Sequence, residues 1–191
     1  LKKYDQAVAE YGKALEKDSD QVDIWREIAD AYELKNDYAQ AITAYQKYYD
    51  ALSQDKKTAE SLFQLGRLYY GQGTSSDTLS VRPADRATAL QAADSVFALV
   101  ARQAPDSYLG DMWRARTNSA MDPETTEGLA KPYYEKVAEM LLAKNEPRYN
   151  SALIECYSYL GYYYLLKSDY PVSKEYWNKI LAIDPTNATA K

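Results

Sequence analysis

The side chains that most often carry chemistry are scarce in this 191-residue sequence, which has no histidine and one cysteine, Cys156. Without histidine the chain lacks the commonest general base and metal ligand, and it can form no Ser/His or Cys/His nucleophile pair. Cys156 has no basic neighbour in sequence, whereas a reactive thiol needs a partner that lowers its pKa. The sequence therefore predicts an inert thiol and no catalytic, cofactor or metal site.

Two further patterns that could hold chemistry lack the required context. Carboxylate pairs such as Asp122 with Glu124 fall in predicted turns, where acidic side chains commonly accept backbone N–H groups. The sequence GQG at 71–73 follows a predicted helix rather than a strand, so it does not match a phosphate-binding loop. We therefore expect a protein that is not an enzyme.

Charge and hydropathy restrict the partners. A formal net charge of −5 opposes binding to a phosphate backbone, because nucleic-acid binders need a basic surface. The most apolar stretch, 160–166, is far shorter than the ~20 residues that cross a bilayer, so no transmembrane segment is expected. The sequence does not determine the compartment. A periplasmic or other envelope location is expected if a signal peptide has been removed, and the cytoplasm is expected otherwise.

The 20 tyrosines recur at regular intervals among alanines, which indicates an internal repeat. A shift of 34 residues superimposes four small or aromatic positions, pairing Tyr4, Ala7, Tyr11 and Ala14 with Tyr38, Ala41, Tyr45 and Tyr48. In a second pattern, an aromatic or aliphatic residue is followed by an aliphatic residue, a small residue and a tyrosine, at offsets of three, four and seven. This pattern begins at Trp25, Leu62 and Tyr157. These offsets mark one face of an α-helix.

A 34-residue period in which W-x2-L-G-x2-Y precedes A-x3-F and then P resembles the tetratricopeptide repeat (TPR) over nearly the whole chain. The segment 107–137 is similar to segments of TPR proteins from Bacteroidetes-type bacteria. The resemblance implies an all-α, right-handed superhelical solenoid of antiparallel helix pairs. Small residues should allow the two helices of a pair to approach closely, at Ala29, Gly66, Ala115 and Gly161.

We expect one solenoid over residues 1–191, with about four to five helix-pair units cut from a longer array. The predicted helices are 3–17, 20–35, 38–53, 56–70, 84–104, 107–120, 127–144, 147–166 and 170–183. Residues 71–83, rich in Gly, Ser, Thr and Pro, are predicted to form an inserted, protruding loop. An uncapped first helix predicts weak homodimerisation through the terminal helices.

The resemblance also implies a concave groove lined by the first helix of each pair. The expected partner-binding residues at groove-facing positions are Arg26, Asp30, Phe63, Arg67, Tyr70, Met112, Arg116 and Tyr162. Arginine, aromatic residues and methionine are enriched at protein interfaces, although such charges can also form a merely solvated face. The arginines favour an acidic or carboxylate-bearing peptide. The lysine and asparagine clamp of some TPR domains is absent, because Arg26, Asp30, Glu60 and Gln64 occupy the corresponding places.

Three functions are compatible with these features. The first is a scaffold that binds a partner polypeptide in the groove, which is what TPR arrays characteristically do, although a fold alone does not determine function. The second is an envelope protein whose groove aromatics, Phe63, Tyr70 and Tyr162, stack on a small molecule or glycan. The third is a regulatory segment of a larger enzyme. A deep aromatic pocket would favour the second function and an open groove the first.

Overall fold

The computed structural model describes residues 2–17, 21–76 and 81–191, and these residues form nine α-helices, two short 3-10 helices and no strand. The α-helices are α1 (Lys2–Lys17), α2 (Val22–Leu34), α3 (Tyr38–Ala51), α4 (Ala59–Thr74), α5 (Pro83–Gln103), α6 (Leu109–Met121), α7 (Lys131–Lys144), α8 (Asn150–Leu166) and α9 (Tyr170–Ile183). The 3-10 segments are Gln54–Lys56 and Pro147–Tyr149. None of the helices in the described part of the chain has the length and apolar character needed to cross a membrane. The predicted all-α class is confirmed.

The predicted loop 71–83 begins later than expected, because α4 continues through residues 71–74. The glycines that suggested a loop lie instead at close helix contacts. A Cβ atom on Gly73 would lie 2.5 Å from Cγ of Leu90, and one on Gly71 would overlap the ring of Tyr38. Glycine weakens a helix but permits these approaches. Residues 77–80 of the predicted loop, and residue 20 at the predicted start of the second helix, lie outside the described residues.

The chain divides into two compact units, Leu1–Gln103 with α1 to α5 and Ala104–Lys191 with α6 to α9. In unit 1 the small residues Ala29 of α2 and Ala41 of α3 are almost completely buried in a shared core. Gly66 of α4 lies against α5, where a Cβ atom would come within 2.6 Å of Cε1 of Phe97. Ala29 and Gly66 therefore occupy the close contacts that the repeat predicts.

Unit 2 repeats this packing with its own core. Gly161 of α8 lies against the indole of Trp177 on α9, and a Cβ atom there would be 2.8 Å from Cε2. Ser173 joins the pair, because its hydroxyl donates to the Gly161 carbonyl at 2.8 Å and accepts from the Trp177 indole N–H at 3.0 Å. Ala115 of α6 is completely buried in this core. Both small residues predicted for unit 2 are thus at helix contacts.

Cys156 lies in the core of unit 2 and is completely buried. Burial raises the pKa of its thiol to about 12, and the negative charge of Glu155 acts in the same direction. A thiol with a raised pKa and no access to solvent is a poor nucleophile. The prediction of an inert cysteine agrees with this environment.

The turns inside the helix pairs α2/α3 and α8/α9 use the same geometry. Asn36 and Ser168 adopt left-handed backbone conformations with φ of 60°, which ends one helix and reverses the chain. The next residues, Asp37 and Asp169, cap the following helices by accepting the backbone N–H of the third residue along, at 3.3 Å in both cases. This side-chain cap explains why α3 and α9 begin where they do.

The connection between α6 and α7 is longer and is organised by one carboxylate. Asp122 accepts the backbone N–H groups of Thr126, Glu127, Gly128 and Leu129, at 2.7 to 3.4 Å. Burial disfavours the charged form of Asp122, but these donors together outweigh burial and lower its pKa. The interpretation of Asp122 as an acceptor of backbone N–H groups is therefore confirmed.

Candidate binding cleft

A cleft of about 660 Å³ lies in unit 1, enclosed by α2, α3, the segment Gln54–Lys56 and α4. Arg26, Asp30 and Glu33 contribute one wall, at offsets of four and three residues along α2. Glu60, Gln64 and Arg67 contribute the opposite wall of α4, at the positions one 34-residue repeat later. Because residues at these offsets share one face of a helix, the cleft lies between equivalent faces of two successive first helices.

The floor of the cleft is formed by two tyrosines of α3. Tyr45 is 4% exposed and Tyr48 is 9% exposed, and their rings meet edge to face with centroids 5.3 Å apart. The Tyr45 hydroxyl donates to the carbonyl oxygen of Ser61 on α4 at 3.0 Å. Burial raises the pKa of Tyr45, with smaller contributions from Tyr48, Asp30 and Glu60 that Arg26 opposes, so the hydroxyl stays protonated.

The arginines of the cleft walls already have partners within unit 1. The Arg67 guanidinium donates to Oε1 of Gln64 at 3.0 Å and to Oε1 of Glu33 at 3.5 Å. The Arg26 guanidinium lies 3.5 Å from the carboxylate of Glu27 and 5.7 Å from the centre of the Tyr48 ring. The positive charges that favoured an acidic peptide are therefore partly neutralised by the protein itself.

Two carboxylates of the cleft, unlike its arginines, have no partner within the described residues. Within the described residues, neither Asp30 nor Glu60 makes an ion pair or a hydrogen bond through its side chain. Partial burial raises the pKa of Asp30, and Glu27 adds to this effect while Arg26 opposes it. Asp30 thus carries a negative charge that its surroundings do not fully compensate.

The structure brings three of the eight predicted binding residues together, since Arg26, Asp30 and Arg67 all line the cleft. Phe63 and Tyr70 belong to α4 but are not part of the lining. Phe63 packs instead on Phe97 of α5, with ring centroids 5.7 Å apart. Tyr45 and Tyr48 were not among the predicted binding residues, although they form the floor of the cleft.

The remaining predicted residues belong to unit 2. The prediction for Met112 is wrong, because this side chain is only 1% exposed and packs in the core, where no partner can reach it. Arg116 forms a two-pronged ion pair with Glu155, at 2.7 Å for both bonds, and lies over the Trp113 ring. Tyr162 is 43% exposed. A groove shared by Arg116, Tyr162 and the unit 1 residues stays a prediction.

The two predicted arginines should differ in their contribution to stability. We expect Arg116→Ala to lower the free energy of unfolding by about 1 to 2 kcal/mol, because it leaves half-buried Glu155 without its charge partner. Arg67→Ala should cost less than about 1 kcal/mol, since its ion pair is longer and more exposed. Urea unfolding followed by circular dichroism measures both, and equal losses would contradict this assignment.

Within the described residues, no group of three or more cysteine, aspartate or glutamate side chains is placed to hold a metal ion. The arrangement of unit 1 is instead a concave surface with hydrogen-bond donors and acceptors on rigid helices. Such a surface can bind a ligand without catalysing a reaction on it.

Comparison with known proteins agrees with this architecture. A family profile described as Tetratricopeptide repeat matches residues 1–56. The crystal structure of the C-terminal part of a TPR repeat-containing protein from Cytophaga hutchinsonii is 32% identical in sequence, covers 96% of this chain and superposes with a TM-score of 0.77. The chain is therefore similar to tetratricopeptide repeat proteins in fold over nearly its whole length, and in sequence profile over residues 1–56. The predicted likeness to Bacteroidetes TPR proteins is confirmed by this bacterial relative.

A second solved structure shares the fold of this chain. It is YrrB, described as a TPR protein with an unusual peptide-binding site, with 16% identity, a TM-score of 0.62 and coverage of 99% of this chain and 82% of its own. The chain spans 64% of the C. hutchinsonii structure, which is less than two thirds of that structure. No curated protein matches the present chain.

Proposed function

We propose that this TPR chain is a protein-interaction scaffold and that the cleft of unit 1 binds an extended segment of a partner polypeptide. The observation that carries the proposal is the cleft itself, about 660 Å³ between equivalent faces of α2 and α4. A volume of this size accommodates a few side chains rather than a folded domain. TPR proteins in general serve as interaction scaffolds, and YrrB has a peptide-binding site.

The rigidity of the cleft supports a binding role. Its walls are helices, and its floor is the buried pair Tyr45 and Tyr48, held to α4 by the hydrogen bond to Ser61. A surface that is already ordered loses little conformational entropy when it binds a ligand. The polar walls offer donors on Arg26 and Gln64 and acceptors on Glu33 and Glu60, which suits the main chain of a peptide.

A polypeptide fits the cleft better than a glycan or other small molecule that stacks on aromatic rings. Stacking needs exposed ring faces, whereas Tyr45 and Tyr48 are buried and Phe63 packs on Phe97. TPR proteins are typically not enzymes, and we propose the same for this chain. Weak self-association through the terminal helices stays a prediction.

Filling the cleft should abolish peptide binding. We expect short peptides selected from a random display library on the wild-type protein to bind Gln64→Trp at least about tenfold more weakly, because the indole occupies the space between α2 and α4. Fluorescence anisotropy with labelled synthetic peptides gives the dissociation constants.

The matched control is Gln91→Trp, an exposed glutamine of α5 outside the cleft, which should bind the same peptides within about twofold of wild type. Recovery of no peptide above background would contradict the proposed function. Equal binding by wild type and Gln64→Trp, at matched melting temperatures, would contradict the assignment of the cleft.

A further inference from the structure

We propose that the polypeptide segment bound in the unit 1 cleft carries a lysine or arginine side chain, held between Asp30 and Glu60 against the hydroxyl oxygen of Tyr45. This inference rests on the proposed function and adds the chemistry of the partner. It reverses the acidic peptide that the sequence alone predicted.

The arginines of the cleft are engaged by the protein itself. Arg67 is engaged by Gln64 and Glu33, and Arg26 is engaged by Glu27 and the ring of Tyr48. A carboxylate of the partner would have to compete with these contacts before it could form a two-pronged pair. Lys56 also lines the cleft, and its exposed side chain makes no ion pair within the described residues. The two arginines therefore offer an acidic ligand little uncompensated positive charge, and Lys56 offers one.

Two anions of the cleft are not paired by the protein. Within the described residues Asp30 and Glu60 have no cation or hydrogen-bond donor of their own, although Arg26 stands one helical turn from Asp30. Asp30 lines the α2 wall of the cleft, Glu60 lines the α4 wall and Tyr45 lines the floor. Burial and both carboxylates raise the pKa of Tyr45, whereas Arg26 lowers it. A positively charged group bound between the two walls would interact with both carboxylates.

A buried tyrosine lines the same cleft. Tyr45 is 4% exposed and uses its only hydrogen in the bond to the Ser61 carbonyl. A hydroxyl oxygen can also accept hydrogen bonds, so this oxygen can accept from a donor that enters the cleft. Asp30, Glu60 and Tyr45 thus line one cleft, and all three offer acceptor oxygens.

The side chains that match three acceptors are the cationic donors. A lysine ammonium has three N–H donors and an arginine guanidinium has five, and neither has an acceptor that would oppose the carboxylates. Charge-assisted hydrogen bonds of this kind are about twice as strong as neutral ones. A cationic ligand would also relieve the partly desolvated charge of Asp30, whose pKa is raised in the unoccupied protein.

The experiment uses peptides selected from a random display library on the wild-type protein. We expect the recovered peptides to share a lysine or arginine, and replacement of that residue by norleucine should weaken binding about ten- to a hundredfold. In Asp30→Asn combined with Glu60→Gln, the basic peptide and its norleucine version should bind within about threefold of each other. Glu10→Gln combined with Asp50→Asn removes two exposed charges of unit 1 outside the cleft and should behave as wild type.

The outcomes separate this inference from the proposed function. Peptides without a shared basic residue, or an unchanged norleucine effect in Asp30→Asn with Glu60→Gln, would overturn the basic-residue inference. The scaffold would still stand if Gln64→Trp blocked those peptides. If the wild-type protein selected no peptide, both proposals would fall. Circular dichroism and melting temperature check that each double variant is folded.

Discussion

Asp122→Ala should lower the free energy of unfolding by about 2 to 4 kcal/mol. The carboxylate of Asp122 is the acceptor for four backbone N–H groups in the connection between α6 and α7, and alanine offers none of them a partner. The loop also holds Thr125 at φ 56°, a strained conformation for a β-branched residue. Urea unfolding followed by tryptophan fluorescence measures the change.

Asp122→Asn is the control that keeps the shape and one acceptor oxygen, and it should lose less stability than alanine. Because hydrogen bonds lower the pKa of Asp122, its contribution is fully present above the unfolded value of about 3.9 and is lost as the pH falls through the lower folded value. The advantage of wild type over Asp122→Asn should therefore shrink below about pH 4. An advantage that stayed constant down to about pH 2 would contradict the role assigned to the charge.

Gly66→Ala and Gly12→Ala should change stability in opposite directions, although both add one methyl group inside a helix. At Gly66 the new Cβ atom would lie 2.6 Å from the ring of completely buried Phe97, so we expect a loss of about 1 to 3 kcal/mol. At Gly12 a Cβ atom would have no described atom within 4 Å apart from the neighbouring backbone of its own helix, and the higher helix propensity of alanine should add up to about 1 kcal/mol.

The same comparison extends to unit 2 through Gly161→Ala, whose Cβ atom would meet the Trp177 indole at 2.8 Å. We expect a loss similar to that of Gly66→Ala, and a larger loss for leucine at either position. Thermal melts at one protein concentration compare all these variants. A melting temperature of Gly66→Ala equal to that of wild type would show that the helix contact tolerates a side chain.

The fold could be predicted because the repeat places its small residues and its large aromatics at fixed offsets. Ala29, Gly66, Ala115 and Gly161 lie at the expected contacts because only small residues fit between packed helices. The end of α4 was predicted too early, at residue 70 instead of Thr74, for a related reason. Glycines 71 and 73 look like loop residues in a propensity argument, whereas tertiary packing requires their lack of a side chain.

The site was harder to predict because binding depends on contacts that are distant in sequence. Arg116 could not be paired with Glu155 in advance, since 39 residues separate them and neither belongs to the consensus. Met112 was misassigned because the buried side of α6 includes polar residues, Asp111, Thr117 and Asn118, so hydrophobic periodicity does not identify its inward face. Arg26, Asp30 and Arg67 could be predicted to share one surface because they lie on corresponding faces of the first helices of successive repeats.

The single cysteine makes opening of the unit 2 core measurable by chemical labelling. Cys156 is completely shielded and its thiol has a pKa of about 12, so a thiol reagent can modify it only in molecules whose core has opened. Because the chain has no other cysteine, each modification event reports the opening of this one region. The labelling rate under native conditions then measures how often unit 2 opens without denaturant. It also gives a free energy of opening in the absence of denaturant, which optical unfolding curves reach only by extrapolation.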